Sequence, residues 1–99
     1  MERNETISAL QDALSPVFRK YNVRRAVLFG SYGKGTQTER SDVDLLVDSG
    51  LHGLQFMALT AEIRTALGRE VDLFDTTHIE PDSRIHAEIH STGVTLYEQ

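Results

Sequence analysis

The stretch VLFGSYGKGTQTERSDVDLLVDSG, residues 27–50, consists of a glycine-rich half and an acidic half. The glycine-rich half begins at Gly30 after an apolar run. It is not a Walker-type loop, because Leu28 stands where the first glycine is required and Gly35 where a serine or threonine is required. What remains is a turn with Ser31 after its first glycine, which would present backbone N–H groups to an anion. An ordinary glycine-rich surface turn is the alternative.

The acidic half places Asp42 and Asp44 two residues apart on a predicted strand. Side chains at this spacing point to the same face, about 6–7 Å apart along the chain. Parallel carboxylates repel one another unless a cation or water lies between them. Mg²⁺ fits, because it binds carboxylate oxygens together with substrate phosphates. The alternative makes Asp42 a turn residue and leaves Asp44 on an exposed strand face, but the preceding glycine-serine turn favours a phosphate site.

Phosphoryl or nucleotidyl transfer at such a site calls for a further carboxylate, which activates the attacking hydroxyl or completes a two-metal site. Asp72, in the third predicted strand, is the best candidate, because that strand is expected beside the second one. Asp75, at the exit of the same strand, is the reserve. Either residue could instead be an ordinary polar residue.

The rest of the pattern predicts one α/β (α+β) domain over residues 1–99, a small mixed β-sheet with helices packed on it, in the order α-β-α-β-α-β. Asn4 is expected to cap the first helix, and Pro16 to kink it or to start a second segment. Pro81 is expected in the first turn of the last helix. Helices are predicted over about 4–20, 54–67 and from 81 to before Gly93, and strands over 25–29, 43–47, 71–74 and 94–97.

Composition narrows the class of partner. The formal net charge of −5 disfavours a bare nucleic-acid binder, since such proteins neutralise phosphates with lysine and arginine. The sequence contains no cysteine and no apolar run of about eighteen residues. These features predict a cytoplasmic protein without a membrane span. His86 and His90 lie one helical turn apart but do not form a zinc-protease pattern, so they are expected to face solvent.

The motif Gly30-Ser31-x-x-x-Gly35, followed by Ser41-Asp42-x-Asp44-Leu45 and a separate Asp72, resembles the signature of the DNA polymerase beta-like nucleotidyltransferase superfamily. Over essentially its full length the chain resembles the minimal nucleotidyltransferases of this superfamily, which are often encoded beside a HEPN-domain protein. The shared segments include the first helix, the strand ending at Phe29, the segment Gly68-Arg-Glu-Val-Asp-Leu73 and the closing strand.

The resemblance implies a nucleotidyltransferase fold and a role for each matching position. Mg²⁺, or Mn²⁺ in its place, would be the metal, and ATP or another nucleoside triphosphate the substrate. Lys34 stands where many relatives have arginine, which removes a bidentate contact and weakens the expected phosphate affinity. The implied phosphate-binding residues are Gly30, Ser31, Lys34 and Gly35; the implied metal ligands are Asp42, Asp44 and Asp72, of which Asp72 would also act as general base.

The implied reaction transfers a nucleoside monophosphate, AMP from ATP, to a hydroxyl. Because 99 residues leave no second domain for an acceptor, the acceptor is expected on another chain, and the resemblance suggests a HEPN-domain toxin with this chain as its antitoxin. Two alternatives remain open. One is a non-catalytic module that neutralises its partner by binding; the other is a small-molecule nucleotidyltransferase that forms its acceptor pocket as a homo-oligomer.

Overall fold

A computed structural model of the chain describes residues 2–30 and 43–99. Within that part of the chain the helices and strands follow one another in the order α-β-β-α-β-α-β. The helices are α1 (Glu2–Lys20), α2 (Leu54–Leu67) and α3 (Arg84–Thr92), and a short 3-10 helix covers Thr76–His78; the strands are β1 (Arg25–Phe29), β2 (Val43–Asp48), β3 (Val71–Asp75) and β4 (Val94–Glu98).

The four strands form one mixed sheet in the order β3-β2-β1-β4. β1 is antiparallel to both β2 and β4, whereas β2 and β3 are parallel. The parallel pair needs a crossover, and α2 supplies it between β2 and β3. The predicted fold, a small mixed sheet with helices packed on it, is therefore confirmed.

One face of the sheet forms the main hydrophobic core against α1 and α2. Burial alternates strictly along β2, so that every second residue is buried and the residues between them are half-buried. The helices contribute apolar side chains at three- and four-residue spacing, which places them on one side of each helix. The core includes Leu10, Leu14 and Phe18 from α1, Leu59 and Ile63 from α2, and Leu28, Val43, Leu45, Val47 and Val71 from the sheet.

The opposite face of the sheet is covered in part by α3. A β-carbon on Gly93, the residue after α3, would lie only 3.0 Å from Val27 Cγ1 and 2.4 Å from the carbonyl oxygen of Ile89. The absence of a side chain at Gly93 therefore allows the end of α3 to pack closely on β1. None of the described helices is both long enough and apolar enough to span a bilayer.

The first helix differs from the prediction at its start. α1 begins at Glu2, so Asn4 lies inside the helix rather than capping it. The helix continues through Pro16, so no second segment starts there, and the predicted kink at the proline stays a prediction. The buried contacts of Leu14 and Phe18 on either side of the proline explain this continuity, because tertiary packing outweighs the loss of one backbone hydrogen bond.

The start of the last helix also differs from the prediction. α3 begins at Arg84, and Pro81 precedes it in a turn. Ser83 caps the helix, since its hydroxyl accepts a hydrogen bond from the amide of His86 at 3.1 Å. A serine at this position satisfies one of the free N–H groups of the first turn, which a proline cannot do.

Candidate active site

The parallel pairing of β2 and β3 brings two of the predicted carboxylates together. Asp44 and Asp72 are register partners on the neighbouring strands. Register partners in adjacent strands have Cα atoms about 4.8 Å apart, and their side chains share a face. Asp44 is half-buried and Asp72 is exposed, so both carboxylates can be reached from solvent. The side-by-side placement expected for β2 and β3 is thus observed.

Gly30, the residue after β1, lies directly against Asp44. Its φ of +72° belongs to the left-handed region, which glycine adopts at little cost. A β-carbon at this position would lie 2.5 Å from Asp44 Oδ2, closer than such atoms approach in proteins. Because Phe29 is the register partner of Asp44 on β1, the chain enters the glycine-rich segment beside the carboxylate.

Thr92, the last residue of α3, connects that helix to the site. Its hydroxyl oxygen accepts a hydrogen bond from the amide of Gly30 at 3.2 Å. The same hydroxyl donates to the backbone carbonyl of Glu88 at 2.7 Å, which fixes its orientation on the helix. The amide of Gly30 therefore binds Thr92 in this structure, and a role for Gly30 in holding phosphate stays a prediction.

Asp75, the reserve candidate, points to the other face of the sheet. It is 1% exposed, and its carboxylate accepts hydrogen bonds from the amides and hydroxyls of Ser49 and Thr77 at 2.8–3.3 Å. Burial disfavours the charge, but the hydrogen bonds from Ser49 and Thr77 outweigh it and hold the pKa of Asp75 below its ordinary value. Asp75 is a structural carboxylate and does not join Asp44 and Asp72.

The remaining predicted site residues lie outside the part of the chain that the structure describes. These residues are Ser31, Lys34, Gly35 and Asp42. The described residues contain no cluster of three or more metal-ligating side chains. Asp44 and Asp72 supply carboxylate oxygens from two adjacent strands, and this donor set fits Mg²⁺, which takes one or two carboxylates and completes its shell with water and substrate phosphates.

A groove of about 590 Å³ lies on the same face of the sheet as Asp44 and Asp72. Sequence patterns did not indicate it, because it forms only where the sheet, α3 and the segment before α3 meet. Half-buried His86 and exposed His90 both line the groove, so the two histidines face solvent within it. Lining residues include Arg25, Leu46 and Asp48 from the sheet and His86, Ile89 and His90 from α3.

Two aromatic rings mark the boundary between the groove and the carboxylates. The ring centroids of Phe29 and Phe74 are 5.9 Å apart. Phe29 is the register partner of Asp44, and Phe74 is the register partner of Leu46. The contact between the rings therefore crosses β2 between Asp44 and Leu46, with the carboxylates on one side and the groove on the other.

Comparisons with known proteins bear on the family and the fold of the chain. The family model described as "Polymerase beta, Nucleotidyltransferase" matches residues 12–99. A protein of Methanocaldococcus jannaschii that is named as a protein adenylyltransferase is 36% identical over 77 residues, covering 76% of this chain and 83% of the relative.

Solved structures of toxin–antitoxin complexes share the fold. A chain of a toxin–antitoxin crystal structure with AMP-PNP superposes with a TM-score of 0.71 and 26% identity, over 90% of this chain and 73% of the other. A complex of the tri-AMPylated HEPN toxin of Shewanella oneidensis with its MNT antitoxin gives a TM-score of 0.67 at 20% identity, over 94% and 73% of the two chains. The second likeness concerns the fold alone.

The fold, the paired aspartates and the matching family model lead to one assignment. The match covers residues 12–99, which include the glycine-rich segment and all four strands of the sheet. The chain belongs to the polymerase beta nucleotidyltransferase family and is a nucleotidyltransferase.

Proposed function

We propose that the chain transfers AMP from ATP, in the presence of a divalent cation, to a hydroxyl group of a HEPN-domain partner protein, and so acts as its antitoxin. The observation that carries the proposal is the register of Asp44 and Asp72 on adjacent parallel strands. Two solvent-accessible carboxylates held side by side by the backbone are suited to bind a cation and a triphosphate together.

Each carboxylate has a distinct part in the proposal. Asp44 and Asp72 would hold Mg²⁺ or Mn²⁺ together with Asp42. The bound ion would supply positive charge to the phosphate oxygens. Asp72, the more exposed of the described pair, would accept the proton of the acceptor hydroxyl. Ser31, Lys34, Gly35 and the turn at Gly30 would hold the β- and γ-phosphates.

The proposed step balances without a further reactant. The acceptor oxygen forms a bond to the α-phosphorus while the bond between that phosphorus and the oxygen bridging to the β-phosphate breaks. The electron pair leaves with pyrophosphate, and the acceptor proton passes to Asp72. Attacking and leaving oxygens lie in line, so the protein's main contribution is to hold the reacting groups in position.

The nucleotide and partner in this proposal rest on the relatives. The Methanocaldococcus relative is named as a protein adenylyltransferase, which indicates AMP as the group and a protein as the acceptor. The toxin–antitoxin complex at 26% identity contains AMP-PNP. In the Shewanella complex the HEPN toxin is tri-AMPylated. Together these relatives support a protein acceptor and a toxin partner for this chain, and the HEPN class of that partner is part of the proposal.

A transfer assay tests the proposal. The purified chain is incubated with α-phosphate-labelled ATP, Mg²⁺ and the HEPN-domain protein tested as its partner. We expect label on that protein, no label after EDTA, and a loss of rate of about a hundredfold or more for Asp72→Asn, as expected for removal of a general base. Asp44→Asn should abolish transfer.

Asp12→Asn serves as the matched control, because Asp12 is an exposed carboxylate on α1, away from the sheet face that carries Asp44. It should transfer at the wild-type rate. Absence of label with the wild-type chain, or undiminished transfer by Asp44→Asn, would contradict the proposal. If Asp44→Asn still neutralises the partner, neutralisation depends on binding rather than on transfer.

A further inference from the structure

The groove beside α3 lies on one side of Asp44, and Gly30 lies on the other. Along β1 the chain runs from Arg25, at the groove, through Val27 to Phe29 and then Gly30. Asp44 is opposite Phe29, so it stands between the groove and the glycine turn. The two regions therefore approach the carboxylates from opposite directions along the same face of the sheet.

If the proposed function holds, this arrangement indicates which substrate the groove binds. In an in-line displacement the attacking and leaving oxygens occupy opposite sides of the phosphorus. With the leaving pyrophosphate at the turn that begins with Gly30, the groove lies on the opposite side of Asp44, which is the side from which an in-line acceptor oxygen would arrive. We infer that the groove binds the acceptor, in the form of an extended segment of the partner polypeptide that carries the hydroxyl group.

The dimensions of the groove suit an extended peptide. Leu46 and Asp48 follow Asp44 on the same face of β2, about 7 Å and 13 Å away along the strand. A segment that places its hydroxyl at Asp44 therefore reaches Asp48 about four extended residues further on. The volume of about 590 Å³ lies within the range of about 300–1,000 Å³ found for specific binding pockets.

The polar groups at the far end of the groove complement a peptide main chain. Arg25 and Asp48 are register partners on β1 and β2, and both line the groove. Among the described residues, neither side chain forms a hydrogen bond or an ion pair. The guanidinium offers donors to a backbone carbonyl, and the carboxylate offers an acceptor to a backbone N–H. The pair can therefore bind both groups of one extended segment.

Apolar contacts provide the remainder of the site. Leu46 forms part of the floor, and Ile89 lies on the wall formed by α3. Between the groove and the carboxylates, half-buried Phe74 packs against buried Phe29 and offers an apolar surface to the stem of the side chain that carries the hydroxyl. The groove thus combines apolar packing along its length with polar groups at its far end, as is typical of specific binding sites.

Steady-state transfer kinetics with Arg25→Ala and Asp48→Asn test this inference, with the HEPN-domain protein of the transfer assay as acceptor. We expect the KM for the acceptor to rise about tenfold for each variant, from loss of hydrogen bonds to a charged group. The KM for ATP and kcat should stay within about twofold of wild type. Arg24→Ala is the matched control, since Arg24 is an adjacent exposed arginine outside this groove.

The outcomes separate the inference from the proposed function. Transfer by the wild-type chain with an unchanged acceptor KM in both variants would overturn the groove assignment and leave the proposed function intact. A raised KM for ATP, with weaker binding of AMP-PNP, would assign the groove to the nucleoside instead. Absence of transfer by the wild-type chain overturns the proposed function itself.

A protection experiment gives a readout that does not depend on turnover. The chain has no cysteine, so single cysteines can be introduced and labelled selectively. His90→Cys places a thiol in the groove, and Ser91→Cys places one on the next residue, which is exposed and lies outside it. The acceptor protein should slow the reaction of maleimide with His90→Cys about tenfold or more and leave Ser91→Cys unaffected; equal rates with and without acceptor at position 90 would contradict the inference.

Discussion

The carboxylate of Asp44 occupies the space into which a side chain on residue 30 would project. Its Oδ2 atom lies 2.5 Å from the position of a β-carbon on Gly30. The glycine thus has two requirements to meet, a positive φ and close contact with a carboxylate of the proposed catalytic pair. These requirements can be separated by experiment, because another glycine meets only the first.

Gly30→Ala should reduce the rate of AMP transfer about a hundredfold, because the added methyl group must displace the Asp44 carboxylate and misplacement by about 1 Å has effects of this size. Gly50→Ala is the matched control: Gly50 has a φ of +70°, but a β-carbon there meets nothing within 4 Å. Both variants should lose about 1–2 kcal/mol of unfolding free energy from the left-handed conformation. Equal transfer rates in the two variants would contradict this role for Gly30.

Thr92→Val should weaken the connection between α3 and the turn at Gly30. Valine has a similar shape but cannot accept the hydrogen bond from the Gly30 amide, which leaves that amide without its partner. We expect the unfolding free energy to fall by about 1 kcal/mol. The transfer rate should fall more than this loss of stability explains, whereas Thr92→Ser, which retains the hydroxyl, should remain close to wild type. Urea denaturation and transfer assays on both variants check the prediction.

Asp75→Asn should destabilise the fold by about 2–3 kcal/mol at pH 7, because an amide cannot accept all the hydrogen bonds that Ser49 and Thr77 donate. The pKa of Asp75 is lowered in the folded state, so its ionisation stabilises the fold above the ordinary value of 3.8. This contribution is lost as the pH falls through the lowered folded pKa. Urea denaturation across this pH range should show the difference between wild type and Asp75→Asn shrinking below pH 3.8; a constant difference would contradict the assignment.

Tyr21→Phe should raise the pKa of Glu62 toward its ordinary value. The Tyr21 hydroxyl and the Lys20 ammonium both donate hydrogen bonds to the Glu62 carboxylate and join α1 to α2. These bonds, that of Tyr21 first, lower the pKa of Glu62. The stabilisation is therefore present above the ordinary value of 4.5 and is lost as the pH falls through the lowered folded pKa. NMR titration of the Glu62 carboxyl carbon measures the change, and Lys20→Met should also raise this pKa, because the hydrogen bond and the charge of Lys20 lower it as well.

The sequence predicted the strands and carboxylates of the site better than the tertiary contacts between them. Alternation along a strand was enough to place Asp44 and Asp72 where neighbouring strands could bring them together. The same rule could have excluded Asp75, because residues three apart on a strand face opposite sides. Ser83, a favoured capping residue, could have marked the start of α3.

Other features depend on packing and have no local signal. Thr92 contacts Gly30 across 62 residues of sequence, and a threonine at the end of a helix forms no pattern that predicts such a contact. The groove likewise forms only when α3 packs on the open face of the sheet. The roles predicted for Ser31, Lys34, Gly35 and Asp42 remain predictions, since these residues lie outside the described part of the chain.

The hydrogen bonds of Asp75 also affect the opposite face of the sheet, because they act on the register of β2 and β3. It joins Ser49, just after β2, to Thr77, just after β3, and so fastens together the ends of the two parallel strands. A slip of β3 by two residues would preserve the alternation of apolar side chains but could set Asp72 opposite Leu46. Such a slip would pull Asp75 away from Ser49. A buried carboxylate that no substrate touches thus selects the one alignment in which Asp44 and Asp72 stand side by side.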